Sequence, residues 1–425
     1  MKILLLLSIP FLAAAPAWAE VNKAASSAAA LVAEMPAGAE NIFDKSFFSH
    51  ISLEKLNGIF SGLYRDNGGV AETLLVSSRA YSGHFFYDTA RGWRIPVAIS
   101  VDPANGKING LYFSPPYRKD VTLAGVKAGL SALPGRKGLL VRRLGEKAET
   151  LEALSADDYF AVGSVFKLYV LGAMLKEKTP WNKVFRLREE DKSLPSGRLQ
   201  NWPAGAPLTA HTLAVMMISE SDNTASDALI AGIGRRHIEA SLAGLGHSDP
   251  AKMSPFLKTS EMFRLKSGTA NSLKYLNLPA AEKYKFLEVL GREPLEAERV
   301  ARSPFGVDKL EWLASPSDIC RLLDFLSASG NTKALELLAI NPGLKEAAAG
   351  FLYAGYKGGS EPGVLSMAWL LMNKKSEWFC LAASWNDEKH DLEQEKFFGL
   401  MRSAANALAA FGEGPEAPPA GLPGP

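Results

Sequence analysis

Two cysteines and six histidines are all that 425 residues offer as sulfur or imidazole ligands. There is no C-x-x-C and no H-E-x-x-H. His50, His84, His211, His237, His247 and His390 share no ligand spacing, so the expectation is a protein with no metal and no other cofactor. Cys320 and Cys380 each sit among apolar residues, which predicts two buried free thiols rather than a bridge, although an oxidising compartment would permit one. Charge of one sign is also lacking. Lys and Arg number 47 against 45 Asp and Glu, and a net +2 gives no general attraction to nucleic acid or to an anionic membrane. Past the first residues no apolar run is long enough to span a bilayer, so no stable membrane anchor is expected. Internal repeats are absent as well.

What is present is an ordinary globular composition, 47% apolar and 22% charged, in a chain long enough for two or three domains. Its start differs from the rest. Met1-Lys2 precedes a short apolar stretch, Ile3–Leu7 and Ile9–Ala15, that closes on Ala17-Trp18-Ala19. A charged start, a short apolar core and an A-x-A end predict a cleavable signal peptide over residues 1–19, cut after Ala19, and a periplasmic or secreted protein. No cysteine follows the core, which argues against lipid attachment. Residues 20–39, rich in Ala and Ser, read as a mobile leader or a frayed first helix.

Residues 40–117 read as a small α+β domain. Phe43, Phe47, Phe48, Ile51, Leu56, Ile59, Phe60 and Leu63 suggest one or two amphipathic helices. Four segments rich in β-branched and aromatic residues follow, at 72–76, 79–87, 93–101 and 108–113. Asn67-Gly68-Gly69, Arg91-Gly92 and Asp102–Gly106 mark the turns between them. Helices followed by an antiparallel meander, with Val97–Asp102 running through a turn into Ile108–Phe113, loosely resemble the ketosteroid-isomerase-like cone. The resemblance implies a binding or scaffolding domain. Ser114-Pro115-Pro116-Tyr117 makes a natural boundary.

In residues 118–411 the pattern predicts a helix over 122–130, strands near 137–144 and 151–154, and a helix from Ala210 capped by Thr209. Further helices are expected at 260–266 and 280–290, with a polar lid between them, and at 316–326, 335–338 and 344–352. Strands at 364–372 and 378–384 and a last helix over 397–411 complete the domain. Residues 412–425, dominated by Pro and Gly, read as disordered.

Three short motifs stand in this order. Ser164-Val165-Phe166-Lys167 opens a long apolar run, and on a helix its serine and lysine share a face. Ser221-Asp222-Asn223 lies between two apolar helices. Lys357-Gly358-Gly359-Ser360 precedes the last two strands. Each has a plain structural explanation when taken alone: a helix start with a snorkelling lysine, a polar cap, a hairpin turn. S-x-x-K, S-D-N and a third motif beginning with Lys are together the signature of class A β-lactamases and penicillin-binding proteins, and residues 122–411 resemble that superfamily in motif order and context.

The resemblance implies an antiparallel sheet flanked by helices and acyl transfer through a serine ester. It makes Ser164 the nucleophile, Lys167 its base and Ser221 the proton relay. Asn223 would bind a substrate amide and brace Lys167, and Lys357 would attract a substrate carboxylate. Gly359 belongs to the binding strand, and the backbone N–H groups of Ser164 and Ser360 would form the oxyanion hole. Asp222 is expected to be structural.

Two departures stand out. Gly358 replaces the usual hydroxyl residue, which removes a hydrogen bond to a substrate carboxylate. No E-x-x-L-N context supplies a glutamate to activate water; Glu261 is the nearest candidate and reads better as a helix-start carboxylate. The expected partner is a small molecule, either a β-lactam or a related ester or amide. The alternatives are a D-alanyl-D-alanine peptidase acting on a peptidoglycan-like amide and a non-catalytic binding protein.

Overall fold

The structure is a computed structural model that describes residues 17–344 and 348–411. Most of the expected signal peptide, residues 1–16, and the expected disordered tail, 412–425, lie outside the described residues. The chain divides after Asp120 into two units.

In the first unit the stretch expected to be a mobile leader or a frayed first helix begins with a helix, Ala17–Ala30. Val21, Ala24, Ala25 and Ala28 follow an i, i+3, i+4, i+7 stripe and are buried. Their small side chains bring the backbone close enough for the Tyr87 hydroxyl to donate to the Ala25 carbonyl at 2.6 Å. An alanine stripe carries little hydropathy contrast, which is why composition alone reads it as a frayed segment. A second helix, Leu53–Asn67, is capped by Ser52, whose hydroxyl accepts from the Lys55 N–H at 3.2 Å, and it buries Leu56 and Phe60.

The strands are β1 (Val70–Arg79), β2 (Ser82–Thr89), β3 (Trp93–Val101) and β4 (Ile108–Phe113), paired antiparallel in sequence order. A two-residue strand β5, Tyr117–Arg118, returns to pair with Trp93 and Arg94. That pairing carries the unit through the prolines and past the expected boundary, to Asp120.

The second unit is built on a five-stranded antiparallel sheet. Its strands are β6 (Arg136–Arg143), β7 (Glu149–Leu154), β8 (Tyr353–Glu361), β9 (Val364–Met372) and β10 (Trp378–Asn386), in the spatial order β8-β9-β10-β6-β7. Alternation along the strands sends Ala368, Leu370, Cys380 and Ala382 into one core, shared with the helices Lys167–Lys176, Ala210–Ser219, Asn223–Ile233 and Pro316–Ala328. Met367, Trp369, Leu381 and Trp385 face the other way, against the helices Leu123–Ser131 and Gln394–Ala410. The architecture is therefore an antiparallel sheet flanked by helices, and β8, which carries the third motif, is an edge strand.

Helix starts follow the sequence reading closely, and Thr209 caps the helix it was expected to cap. Thr122, Thr209 and Ser315 each accept a backbone N–H at the expected helix starts. Two expectations change. The polar stretch between Lys266 and Ala280 contains a helix, Thr269–Asn277, rather than an open lid. Of the expected helix at 344–352, Ala348 is helical and its N–H donates to the Leu344 carbonyl at 3.1 Å, residues 345–347 lie outside the described residues, and the chain turns after Ala348 to enter β8. Cys320 and Cys380 are joined in a disulfide instead of standing as free thiols. Their Cα atoms are 5.5 Å apart, one on the helix Pro316–Ala328 and the other on β10, so apolar surroundings and a bridge are compatible here. Among the described residues no helix is long and apolar enough to cross a membrane.

Candidate active site

Ser164 sits in a single 3-10 turn, Gly163–Phe166, that leads directly into the helix Lys167–Lys176. In a 3-10 turn residues i and i+3 eclipse one another, so Ser164 and Lys167 project on one side even though the α-helix begins only at the lysine. The turn is anchored from behind. Phe166 stacks on Trp312 with ring centroids 3.8 Å apart, and the Val162 N–H donates to the Trp312 carbonyl at 3.1 Å. From the front it is pressed by β8. A Cβ on Gly359 would lie 2.6 Å from the Ser164 nitrogen and closer still to the Val162 oxygen, so only glycine allows the edge strand this near the serine.

Lys167 is fully buried. Its ammonium donates to the Ser221 carbonyl at 2.6 Å, to Asn223 Oδ1 at 2.7 Å and to the Ser221 hydroxyl at 3.1 Å. Lys357, also buried, donates to the same Ser221 hydroxyl at 2.9 Å and to the Gly358 carbonyl at 2.7 Å. One hydroxyl oxygen thus accepts from two lysines. Burial, and after it the neighbouring Lys357 cation, hold the Lys167 ammonium well below the ordinary lysine range, while Asp227 and Asp222 pull the other way. Burial also brings Lys357 down to about 7.

Ser221 has φ +56°, a left-handed conformation that is uncommon for a residue with a side chain. Asp222 holds it there. Its carboxylate accepts from the Ala225 N–H at 2.8 Å, capping the helix Asn223–Ile233, and from the Arg198 and Leu199 N–H groups at 2.7 and 3.0 Å. Asp222 is accordingly a structural anchor. It fastens a loop, residues 193–199, that the sequence reading passed over. From that loop the Ser196 hydroxyl donates to the Ser221 carbonyl at 2.8 Å, and the Leu194 carbonyl accepts from Asn223 Nδ2 at 3.0 Å. Leu194-Pro195-Ser196-Gly197 is a turn-forming string, but nothing local ties it to Ser221.

Ser164, Ser221, Lys357, Gly359 and Ser360 line one cleft of about 320 Å³. Lys167 and Asn223 stand behind Ser221 as its support. Among the cleft's lining residues the only carboxylate is Glu220, which is paired with Arg198 at 2.8 Å. Glu261 is engaged elsewhere: it accepts from the Lys258 N–H at 2.8 Å and pairs with Arg235 at 2.5 Å, closing the start of the helix Thr259–Lys266. Tyr356, which no motif points to, also lines the cleft.

Residues 124–298 match the model of the beta-lactamase enzyme family, a span that includes Ser164, Lys167, Ser221 and Asn223 and stops short of Lys357. No curated protein matches the chain. Among solved structures, a β-lactamase from Sphaerobacter thermophilus is similar at 19% identity and TM-score 0.48, over 70% of this chain and 100% of that one. A β-lactamase from Francisella tularensis is similar at 15% identity and TM-score 0.47, over 68% and 97%. A PBP-A mutant in an acyl-enzyme complex with penicillin G is similar at 14% identity and TM-score 0.47, over 67% and 94%. Over residues 124–298, most of them in the second unit's helical half, the chain is thus similar to the beta-lactamase enzyme family.

Proposed function

We propose that the second unit is an acyl-transfer serine hydrolase that opens a β-lactam or a related ester or amide through an ester on Ser164. The observation that carries this reading is the Ser221 hydroxyl, held by both Lys167 and Lys357 at the edge of the cleft that Ser164 lines. In the proposed reaction Lys167, its amine freed from its proton by burial and by Lys357, accepts the Ser164 proton as the oxygen attacks the substrate carbonyl carbon. The developing oxyanion is met by the backbone N–H groups of Ser164 and Ser360. When the carbon–nitrogen or carbon–oxygen bond breaks, the leaving atom takes its proton from the Ser221 hydroxyl, which Lys167 replenishes. Water then releases the acid and returns Ser164.

The last step favours a second form of the same reading. With Glu220 tied to Arg198 and Glu261 tied to Arg235, no lining carboxylate stands ready to activate water. Lys167 then serves both half-reactions and the acyl-enzyme is long-lived, as suits a D-alanyl-D-alanine peptidase or penicillin-binding protein. The disulfide supports export to an oxidising compartment.

Intact mass followed over time with a penicillin and a cephalosporin tests both forms. A stable adduct that is lost in Ser164→Ala supports the peptidase form, and rapid turnover without accumulation supports the β-lactamase form. If the unaltered protein gives neither adduct nor turnover, the site is a non-catalytic binding cleft.

A further inference from the structure

Gly358 stands where a hydroxyl residue is usual, and what fills that place is a neighbour on the same strand. Tyr356 and Gly358 are two apart on β8, so they face the same side of the sheet. The Tyr356 ring lies against Trp369, with centroids 4.7 Å apart, and over Gly343. A Cβ on Gly343 would come within 2.7 Å of that ring. The phenol then arches over Gly358: a Cβ there would lie 2.8 Å from the Tyr356 Cζ and nearer still to its oxygen. Two glycines therefore shape the berth of one tyrosine. Among the described residues its hydroxyl has no hydrogen-bond partner, and it lines the same cleft as Ser164 and Lys357. Burial raises the phenol above its ordinary value, so the oxygen keeps its proton and can donate. The charge this end of the cleft offers a ligand comes from Lys357, because Glu220 is already matched by Arg198.

We propose that the Tyr356 hydroxyl, standing where a side chain at position 358 would project, is a specificity-determining donor that, together with Lys357, holds the carboxylate of the acyl donor. The assignment rests on the acyl-transfer reading of the cleft. It explains why Gly358 is a glycine: a side chain there and the phenol exclude each other.

The test compares Ser164 acylation by benzylpenicillin and by its methyl ester, two reagents with one ring system, only one of them bearing the carboxylate. Intact mass gives the second-order rates. Tyr356→Phe should slow the free acid by about tenfold, the loss of one hydrogen bond to a charged group, and change the ester by less than about twofold. Gly358→Thr alone should slow both reagents, because its Cβ meets the phenol. Gly358→Thr combined with Tyr356→Ala should bring back the preference for the acid, which Tyr356→Ala alone loses. Equal effects of Tyr356→Phe on the two reagents, no effect on either, or a double variant no more selective than Tyr356→Ala would each overturn the assignment while leaving the acyl-transfer reading in place. Absence of any adduct on the unaltered protein would overturn that reading and this one with it.

Discussion

Lys167 Nζ lies 2.7 Å from Asn223 Oδ1, so the buried ammonium is held by a neutral amide. A neutral partner satisfies the hydrogen bond without cancelling the charge, and burial and Lys357 are left free to depress the lysine. Asn223→Asp would keep the geometry and add the missing negative charge. The acylation rate at Ser164, measured against pH with a fluorescent penicillin, rises on its acid side as Lys167 loses its proton. In Asn223→Asp that limb should move to higher pH and the rate at pH 7 should fall by about tenfold or more, since each unit of pKa is worth about 1.4 kcal/mol. A limb that stays in place would count against Lys167 as the base.

Lys357 leads to a stability prediction. Its folded value is about 7 against an ordinary 10.5. Below pH 7 the native and unfolded chains both hold this proton, and the cost of burying the cation is present in full. Between about 7 and 10.5 the unfolded chain holds a proton that the native chain has lost, so stability rises with pH across this window. Urea unfolding at several pH values from 6 to 10 should show that rise, and Lys357→Met should flatten it. A slope equal in both proteins would mean that Lys357 stays charged in the native state.

Gly359 tests the approach of the edge strand. In Gly359→Ala the new methyl meets the Ser164 nitrogen and the Val162 oxygen, both backbone atoms with little freedom to yield. The expected cost is about 1–3 kcal/mol of stability, with a retreat of β8 that disrupts any oxyanion contact from Ser164 and Ser360. Labelling of Ser164 should fall by at least about a hundredfold, the scale of losing one oxyanion donor. Gly358→Ala is a poor control because of Tyr356. Gly268→Ala, at a glycine of extended backbone with nothing within 4 Å, controls for the added methyl alone.

How much of this was legible in the sequence depended on how local each signal is. The cap at Thr209 acts within three residues, and the sequence reading places it correctly; Thr122 and Ser315 cap helices whose starts that reading expects. The three motifs were legible because their residue types are uncommon together. Asp222 was recognised as structural, but its partners, the Arg198 and Leu199 N–H groups, lie 24 and 23 residues away and no periodicity reports them. Tyr356 was missed for a related reason. In a strand it reads as one more aromatic core residue, and only the space above Gly358 shows that its hydroxyl reaches the cleft. The first helix was legible only as a leader or a frayed helix, because its burial is carried by alanines, which differ little in hydropathy from their surroundings.

Cys320 and Cys380 shared the same weakness. Two apolar contexts 60 residues apart predict burial for each but say nothing of their proximity. In the fold their bridge ties the helix Pro316–Ala328 to β10, inside the core that also holds Leu168, Leu322 and Ala382. Peptide mapping without reductant should recover the two cysteines in one cross-linked fragment. A bridge closing a loop of this length contributes roughly 2–4 kcal/mol in most proteins. The double variant Cys320→Ala with Cys380→Ala should therefore lower the midpoint of thermal unfolding by several degrees, for a unit of this size. Ser164 labelling at 25 °C should persist, because the bridge touches neither Lys167 nor Ser221. Two alkylatable thiols in protein exported to an oxidising compartment would overturn the prediction and return these residues to the free thiols that their sequence contexts suggest.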